Sequence, residues 1–369
     1  MTNILISIFY GGDQMSIRVF IIDDSAVVRK VLTGILDTAS GIEVIGSAQD
    51  PIFALPKMKV DWPDVIILDV EMPRMDGITF LKKIMSERPT PIVMCSTLTE
   101  EGSKTSLEAL RRGAIEVVAK PKANLKTSLP EASRTLISAI RAAARANMAG
   151  VKPKPIAHVA PQREKFTADV MLERGSKLDM KKAGALIAIG ASTGGTQALE
   201  AVLTALPCNT LPILIVQHMP EQFTKTFAKR LNEVSKVEVK EAEDNDPLLP
   251  GRVLIAPGGK HMMLQITQFG ASVKIKDGPL VTRHKPSVDV LFRSVAKYAG
   301  ANAMGIIMTG MGDDGARGLK EMHEVGATTI AQNEATCVVY GMPAEAVKLG
   351  AIDHILPLQS IPEIMVNHK

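Results

Sequence analysis

Short apolar runs recur along this chain and alternate with segments whose apolar residues fall at helical spacing. The first series of runs covers residues 18–22, 43–48, 65–68, 91–95 and 115–119. Most are short and rich in Val and Ile, as strands of a covered sheet are. Five such strands alternating with helices predict an α/β fold with a doubly wound parallel sheet, whose ligands bind outside the carboxyl ends of the strands. Residues 135–144 carry Leu136, Ile137 and Ile140 at helical spacing and predict the last helix of this unit.

The pattern then fails. Residues 150–182 are rich in Lys, Pro, Ala and charge, with few large apolar side chains to anchor them, which predicts an interdomain linker. A second series begins with the run 185–189, which breaks into Gly190-Ala191-Ser192-Thr193-Gly194-Gly195, and continues with 211–216 and 303–308. It predicts a second α/β domain with a mainly parallel sheet. The expected organisation is an extension over 1–16 with no assigned role, a first domain over 17–145, a linker over 146–183 and a second domain over 184–369. Met15 is a candidate biological start.

Composition adds limits. Hydrophobic residues at 46% with 22% charged residues describe a soluble globular protein. No apolar run reaches the roughly 18 to 20 residues that cross a bilayer. The run 4–10 lacks a basic leader and a small-residue cleavage site, so a cytoplasmic protein without membrane insertion is expected. Cys95, Cys208 and Cys337 are odd in number, far apart and without metal-ligand spacing, which argues against a disulfide framework or a zinc site. The basic excess is local. Residues 141–182 hold ten Lys/Arg against four Asp/Glu, a +6 that exceeds the +4 of the whole chain, so a solvated linker explains the charge and nucleic acid is not an expected partner.

Polar residues gather at the predicted strand ends of the first series. Asp23 and Asp24 follow the first strand, Asp69 the third, Ser96 and Thr97 the fourth, and Lys120-Pro121 the fifth. Carboxylates converging on one crevice repel one another unless a cation joins them, and oxygen ligation suits Mg²⁺. A lysine and a hydroxyl opposite them can hold phosphoryl oxygens. With Leu68-Asp69-Val70-Glu71-Met72-Pro73-Arg74-Met75-Asp76-Gly77, these residues closely resemble the receiver domain of bacterial response regulators. The resemblance implies that Asp69 is the phosphoacceptor, that Asp23, Asp24 and Asp69 form the Mg²⁺ pocket, and that Lys120 and Ser96 contact the phosphoryl group, with Thr97 adjacent to Ser96. Lys120-Pro121 is a candidate cis bond.

In the second domain Gly190-x-Ser192-x-Gly194 fits a nucleophile elbow, and a helix-capping serine in a tight turn fits it equally. His218 stands at the crest where the run 211–216 gives way to Pro220 and Glu221, at a strand end like that of Ser192. The run 303–308 leads into Thr309-Gly310-Met311-Gly312-Asp313-Asp314-Gly315, whose acidic pair offers a partner for an imidazolium. Three strand ends thus supply a hydroxyl, an imidazole and a carboxylate. An α/β-hydrolase order would need a late histidine, which His323 or His354 would have to provide.

These motifs, with Gln217-His218-Met219-Pro220, Ile255 to Met262, Arg283-His284-Lys285-Pro286-Ser287-Val288-Asp289 and Ile330 to Glu334, resemble the chemotaxis protein-glutamate methylesterases of the CheB family over essentially the whole chain after Met15. The resemblance places the triad on Ser192, His218 and Asp314, with oxyanion-hole donors near Thr193 and Met311. It implies hydrolysis of glutamate γ-methyl esters on chemoreceptors with methanol release, deamidation of selected receptor glutamines, and no cofactor for the ester chemistry. It further implies phosphorylation by the chemotaxis histidine kinase, which loosens a receiver packed over the site. Arg283, His284 and His261 are candidates for the groove rim, and Asn333 stands where an acidic residue is expected. A DNA-binding response regulator and a non-catalytic scaffold are the alternatives. The first would carry a compact helix-turn-helix in place of several buried strands.

Overall fold

The structure, a computed structural model, describes residues 16–97, 100–121, 129–148, 166–173 and 183–368. The expected extension, apart from Ser16, and most of the linker therefore lie outside the described residues.

In the first unit the strands are β1 (Ile17–Ile22), β2 (Ile42–Ala48), β3 (Val65–Asp69), β4 (Ile92–Ser96) and β5 (Glu116–Ala119). They alternate with the helices α1 (Ala26–Asp37), α2 (Pro51–Val60), α3 (Gly77–Glu87), α4 (Glu100–Arg111) and α5 (Leu129–Ala143). The sheet is parallel in the order β2-β1-β3-β4-β5. Strands β3 and β4 are buried along their whole length because helices cover both faces. Local chemistry starts the helices: Ser25 accepts from Val28 N, Asp50 from Ile52 N and Phe53 N ahead of Pro51, and Asp76 from Thr79 N.

The second unit begins with β6 (Leu186–Ala191), α6 (Gly195–Ala205), β7 (Ile213–Gln217), α7 (Glu221–Val234), β8 (Glu238–Glu241) and β9 (Arg252–Ile255). An antiparallel hairpin of β10 (His261–Thr267) and β11 (Gly270–Lys276) follows, then α8 (Val288–Tyr298), β12 (Ala303–Ile307), α9 (Ala316–Glu324), β13 (Thr328–Gln332), α10 (Met342–Lys348), β14 (His354–Leu356) and α11 (Ile361–Asn367). The seven-stranded sheet runs β14-β13-β12-β6-β7-β9-β8, all neighbours parallel. From β6 the chain builds outward through β7, then returns to place β12 on the other flank. The carboxyl end of β6 is therefore a topological switch point, where a crevice opens between diverging connections.

Two expectations change. The bond between Lys120 and Pro121 is trans, and a cis peptide lies at Lys285–Pro286. Either isomer is open to a prolyl amide, so sequence alone does not choose between them. Within the expected linker, residues 166–173 are packed. Ala168 and Met171 join Met263, Val281 and Val290 in a small apolar cluster, and buried Arg293 reaches Asp169 Oδ1 (2.6 Å) and the Leu172 carbonyl (3.1 Å). Two small or flexible apolar side chains and one long cation anchor a segment whose composition reads as solvated.

The two units are packed together. Helix α4 lies on α6 and α7, and Leu107 and Leu110 share one apolar cluster with Leu199, Phe223 and Phe227. Gln197 Nε2 donates to the Leu110 carbonyl (2.5 Å), Arg111 Nε faces Glu200 Oε1 (3.5 Å), and Asn147 N donates to the Val338 carbonyl (2.9 Å).

Candidate active site

Ser192 stands one residue past β6, where two features permit the turn. A Cβ on Gly190 would lie 2.2 Å from Val288 Cγ1, so only glycine lets β6 pass this close to α8. Gly194 caps α6 with φ +79°, the left-handed region that glycine enters freely. Ser192 N donates to the Thr309 carbonyl (3.0 Å) and His218 N to the Ala191 carbonyl (3.1 Å), which ties the ends of β12, β6 and β7 into one rim. Buried Gln217 brackets the two candidate residues, since its Nε2 donates to the carbonyls of Ser192 (3.0 Å) and His218 (3.0 Å). The loop after β12, which holds Met311, closes on Ser192: a Cβ on Gly310 would come within 2.7 Å of Ser192 Cβ.

Asp314 is fully buried and oriented by a helix start. Ser287 Oγ (2.7 Å) and Asp289 N (3.0 Å) donate to its Oδ1, and Val288 N (2.8 Å) donates to its Oδ2. His218 Nε2 meets the same Oδ2 at 2.8 Å. Burial pushes the Asp314 carboxyl up, and His284, Ser287 and the two amides oppose that rise. A carboxylate that already accepts three hydrogen bonds requires a donor from the imidazole, so the proton sits on Nε2 and the lone pair on Nδ1. Nδ1 is buried without a hydrogen-bond partner among the described residues. The histidine–aspartate contact is thus closed, and the serine–histidine contact is open although both side chains line one small cavity. Catalytic hydrogen bonds are often long before substrate binds. Burial pulls His218 down to about 3, so the ring is neutral near pH 7 and fit to accept a proton.

Other expected residues fall elsewhere. His284 stacks on His218 with ring centroids 3.7 Å apart and planes 5° from parallel, so it is the backing of the imidazole and not a rim. His261 is buried: its Nε2 donates to the Pro279 carbonyl (2.9 Å) and its Nδ1 accepts from Ser287 N (3.2 Å), which supports the turn before α8. Arg283 is exposed. His323 pairs with Asp353 (3.2 Å) and His354 lies on the sheet-edge strand β14, so neither supplies a late imidazole for Ser192. Asn333 Oδ1 accepts from Thr336 N (3.1 Å) and Thr336 Oγ1 (2.7 Å), a capping role for which an amide serves.

In the first unit Asp23, Asp24 and Asp69 bring ligand oxygens within 4.8 Å of one another. Lys120 Nζ reaches Asp69 Oδ2 (2.6 Å) and Asp23 Oδ2 (3.0 Å). Burial pushes Asp69 up to about 6, Lys120 opposes this, and the Asp23 charge adds to it. Three carboxylates against one ammonium leave negative charge unmatched, a donor set that fits a hard divalent cation. Ser96 is buried at the end of β4 with its hydroxyl donating to the Thr97 carbonyl (3.3 Å), while Thr97 is exposed.

Gln217, Thr309, Ser287 and Glu116 were not singled out from sequence. Gln217 and Ser287 sit inside the quoted motifs, adjacent to the chemistry. Glu116, at the start of β5, receives a hydrogen bond from Thr193 Oγ1 (2.5 Å) across the boundary between the units, and no local pattern marks that.

A family profile described as CheB methylesterase matches residues 187–365, and one described as response regulator receiver domain matches residues 19–129. A protein-glutamate methylesterase/protein-glutamine glutaminase of Chromobacterium violaceum is 59% identical over 94% of this chain and 98% of its own length. One from Pseudomonas savastanoi is 58% identical over 95% and 98%, and one from Shewanella oneidensis 57% identical over 95% and 98%.

Proposed function

The chain belongs to the CheB methylesterase family, and from that premise we propose how its own residues perform the phosphorylation-linked methylesterase and glutaminase reactions on chemoreceptors. The observation that carries the reading is the His218–Asp314 pair, held at a helix start, with His218 lining the same small cavity as Ser192. Ser192 Oγ attacks the γ-carbonyl of a glutamyl methyl ester while His218 Nδ1 takes its proton. His218 returns that proton to methoxide, methanol leaves, and water hydrolyses the acyl-enzyme by the same base to give glutamate and free serine. With a glutamine substrate the leaving group is ammonia. Asp314 stabilises the imidazolium formed in each step, and Ser287 with the amides of Val288 and Asp289 keeps that carboxylate in place. The backbone N–H groups near Thr193 and Met311 are the oxyanion donors, a role typically worth ~10²- to 10³-fold per donor.

In the receiver, Asp69 accepts the phosphoryl group from the chemotaxis histidine kinase, and Ser96 and Lys120 hold its oxygens. Asp23, Asp24 and Asp69 would hold Mg²⁺, which supplies charge neutralisation when bound. A phosphoryl group adds about −1.5 to −2 charge beside Lys120, and this biases the packing of the receiver over the esterase site. The expected organisation is a receiver over 17–145 and a catalytic domain over 184–369. Among the described residues no helix is long and apolar enough to cross a membrane.

The test is methanol release from methylated receptor membranes. Ser192→Ala is expected to abolish release, and Asp69→Asn to keep basal release but lose stimulation by a phosphodonor. Release by Ser192→Ala sinks the triad, and stimulation of Asp69→Asn equal to that of wild type sinks the receiver assignment.

A further inference from the structure

The contact between Thr193 and Glu116 joins a residue beside the proposed nucleophile to a residue of the receiver. Thr193 Oγ1 donates to Glu116 Oε2 at 2.5 Å, and the Thr193 carbonyl is fixed in turn by Thr309 Oγ1 (2.9 Å). Leu110, Glu116 and Val117 face Ser192, Gln217 and His218 across a cavity of only ≈ 20 Å³, about the space of one water. A glutamate side chain has taken the room that a substrate side chain would need.

Around Glu116 the contact is largely apolar, with Leu110 and Val117 against Phe223, and its other polar members pair with carbonyls or with an opposite charge, so for adhesion alone an uncompensated carboxyl is a poor choice there. Part of Glu116 as a residue stays accessible, but its carboxyl is enclosed. Among the described residues the Thr193 hydroxyl is its hydrogen-bond partner, with no cation facing it. Enclosing a carboxyl with so little compensation weakens docking relative to an apolar residue of the same size. Chemistry on the other side of the contact accounts for the choice. A glutamyl side chain is the product of the reaction, and one hydroxyl donor serves an ester carbonyl, an amide carbonyl and a product carboxylate alike.

Resting on the methylesterase reading above, we infer that the Thr193 hydroxyl is the positioning group for the γ-oxygen of the glutamyl substrate, and that Glu116 of the docked receiver occupies this subsite as a mimic of the product. The substrate and Glu116 then compete for one donor. The receiver excludes substrate by chemical likeness as well as by bulk.

The experiment uses the full chain and methanol release, with and without a phosphodonor. Thr193→Val removes the hydroxyl and keeps the backbone donor. It is expected to raise KM in the phosphorylated chain about tenfold with a smaller change in kcat. Without phosphodonor, Glu116→Ala is expected to raise release several-fold, and to add much less in a Thr193→Val background, where the bond is already gone and only the bulk of the side chain remains to be removed. Thr193→Ser restores the hydroxyl and should restore KM, which separates loss of the donor from misfolding. N-acetylglutamate should compete with substrate in Glu116→Ala and lose at least tenfold in potency when Thr193→Val is added. An unchanged KM in Thr193→Val, or additive effects of the two substitutions, overturns the inference while the esterase reading stands. No methanol from the phosphorylated wild-type chain sinks both.

Discussion

The enclosed carboxyl of Glu116 makes receiver docking depend on pH in a direction that can be worked out. Burial pushes it from an ordinary 4.5 up to about 7 in the docked state, with Thr193 pulling against the rise. Undocked and in water it returns to the ordinary value. Between those two values the docked form holds a proton that the undocked form has released. Docking is therefore strongest below about 4.5, weakens as pH rises, and levels off above about 7. The gap corresponds to about 3 kcal/mol, or a few hundredfold in the docking constant. His218 in the same cavity is neutral across this range, and Asp69 titrates near 6, so the measurement belongs in an Asp69→Asn background. Basal methanol release is compared between that chain and the same chain carrying Glu116→Gln, from pH 5 to 8. Every other titration is common to both and cancels in the ratio. The ratio of the glutamate chain to the glutamine chain is expected to rise with pH by at least tenfold. A ratio that stays flat, or falls, refutes the reasoning.

Asp314→Asn keeps the volume but sets an amide against Ser287, Val288, Asp289 and His218, all of which donate to this position; kcat is expected to fall by about 10⁴, with KM little changed, in steady-state methanol release. Arg293→Met leaves buried Glu321 without the guanidinium that now binds it at 2.5 to 3.2 Å, and should cost about 3 to 5 kcal/mol, seen as a thermal midpoint lowered by roughly 6 to 20 °C. The same variant should expose residues 166–173 to protease, since Asp169 and the Leu172 carbonyl lose their anchor.

How much of this was legible depends on whether the signal was local. Apolar runs that end in polar residues marked the five strands of the first sheet and β6, β7 and β12 of the second, and brought Ser192, His218 and Asp314 to neighbouring strand ends. Strands β8 and β9, each four residues long, carry charges such as Glu238 and Arg252 among their apolar positions, so periodicity could not separate them from loop. The hairpin β10–β11 carries a different signal, the alternation of Ala271, Val273 and Ile275 with Ser272, Lys274 and Lys276, which is a period of two and not a continuous apolar run. Ser287 helps to orient Asp314, yet in sequence it is one small residue after a proline. His284 reads as a rim residue and is a stacking partner, because nothing local reports which ring lies above it. Glu116 was the least legible. Its hydrogen-bond partner is Thr193, 77 positions away in the other unit, and in sequence it is an ordinary charge at the head of a strand.

Strand β5 has four residues and lies at the edge of its sheet, bonded to β4 alone. Its first residue touches Thr193, and the residue after its last touches Asp69. The proposed phosphoacceptor and the turn of the proposed nucleophile are thereby tied to two ends of a fixed ruler of roughly 13 Å at strand rise. Lengthening that ruler by one residue would turn Glu116 to the opposite face while Lys120 stayed at the carboxylates. Insertions in β5 are thus disfavoured by the spacing between two sites, in a strand whose place at the sheet edge would otherwise tolerate drift.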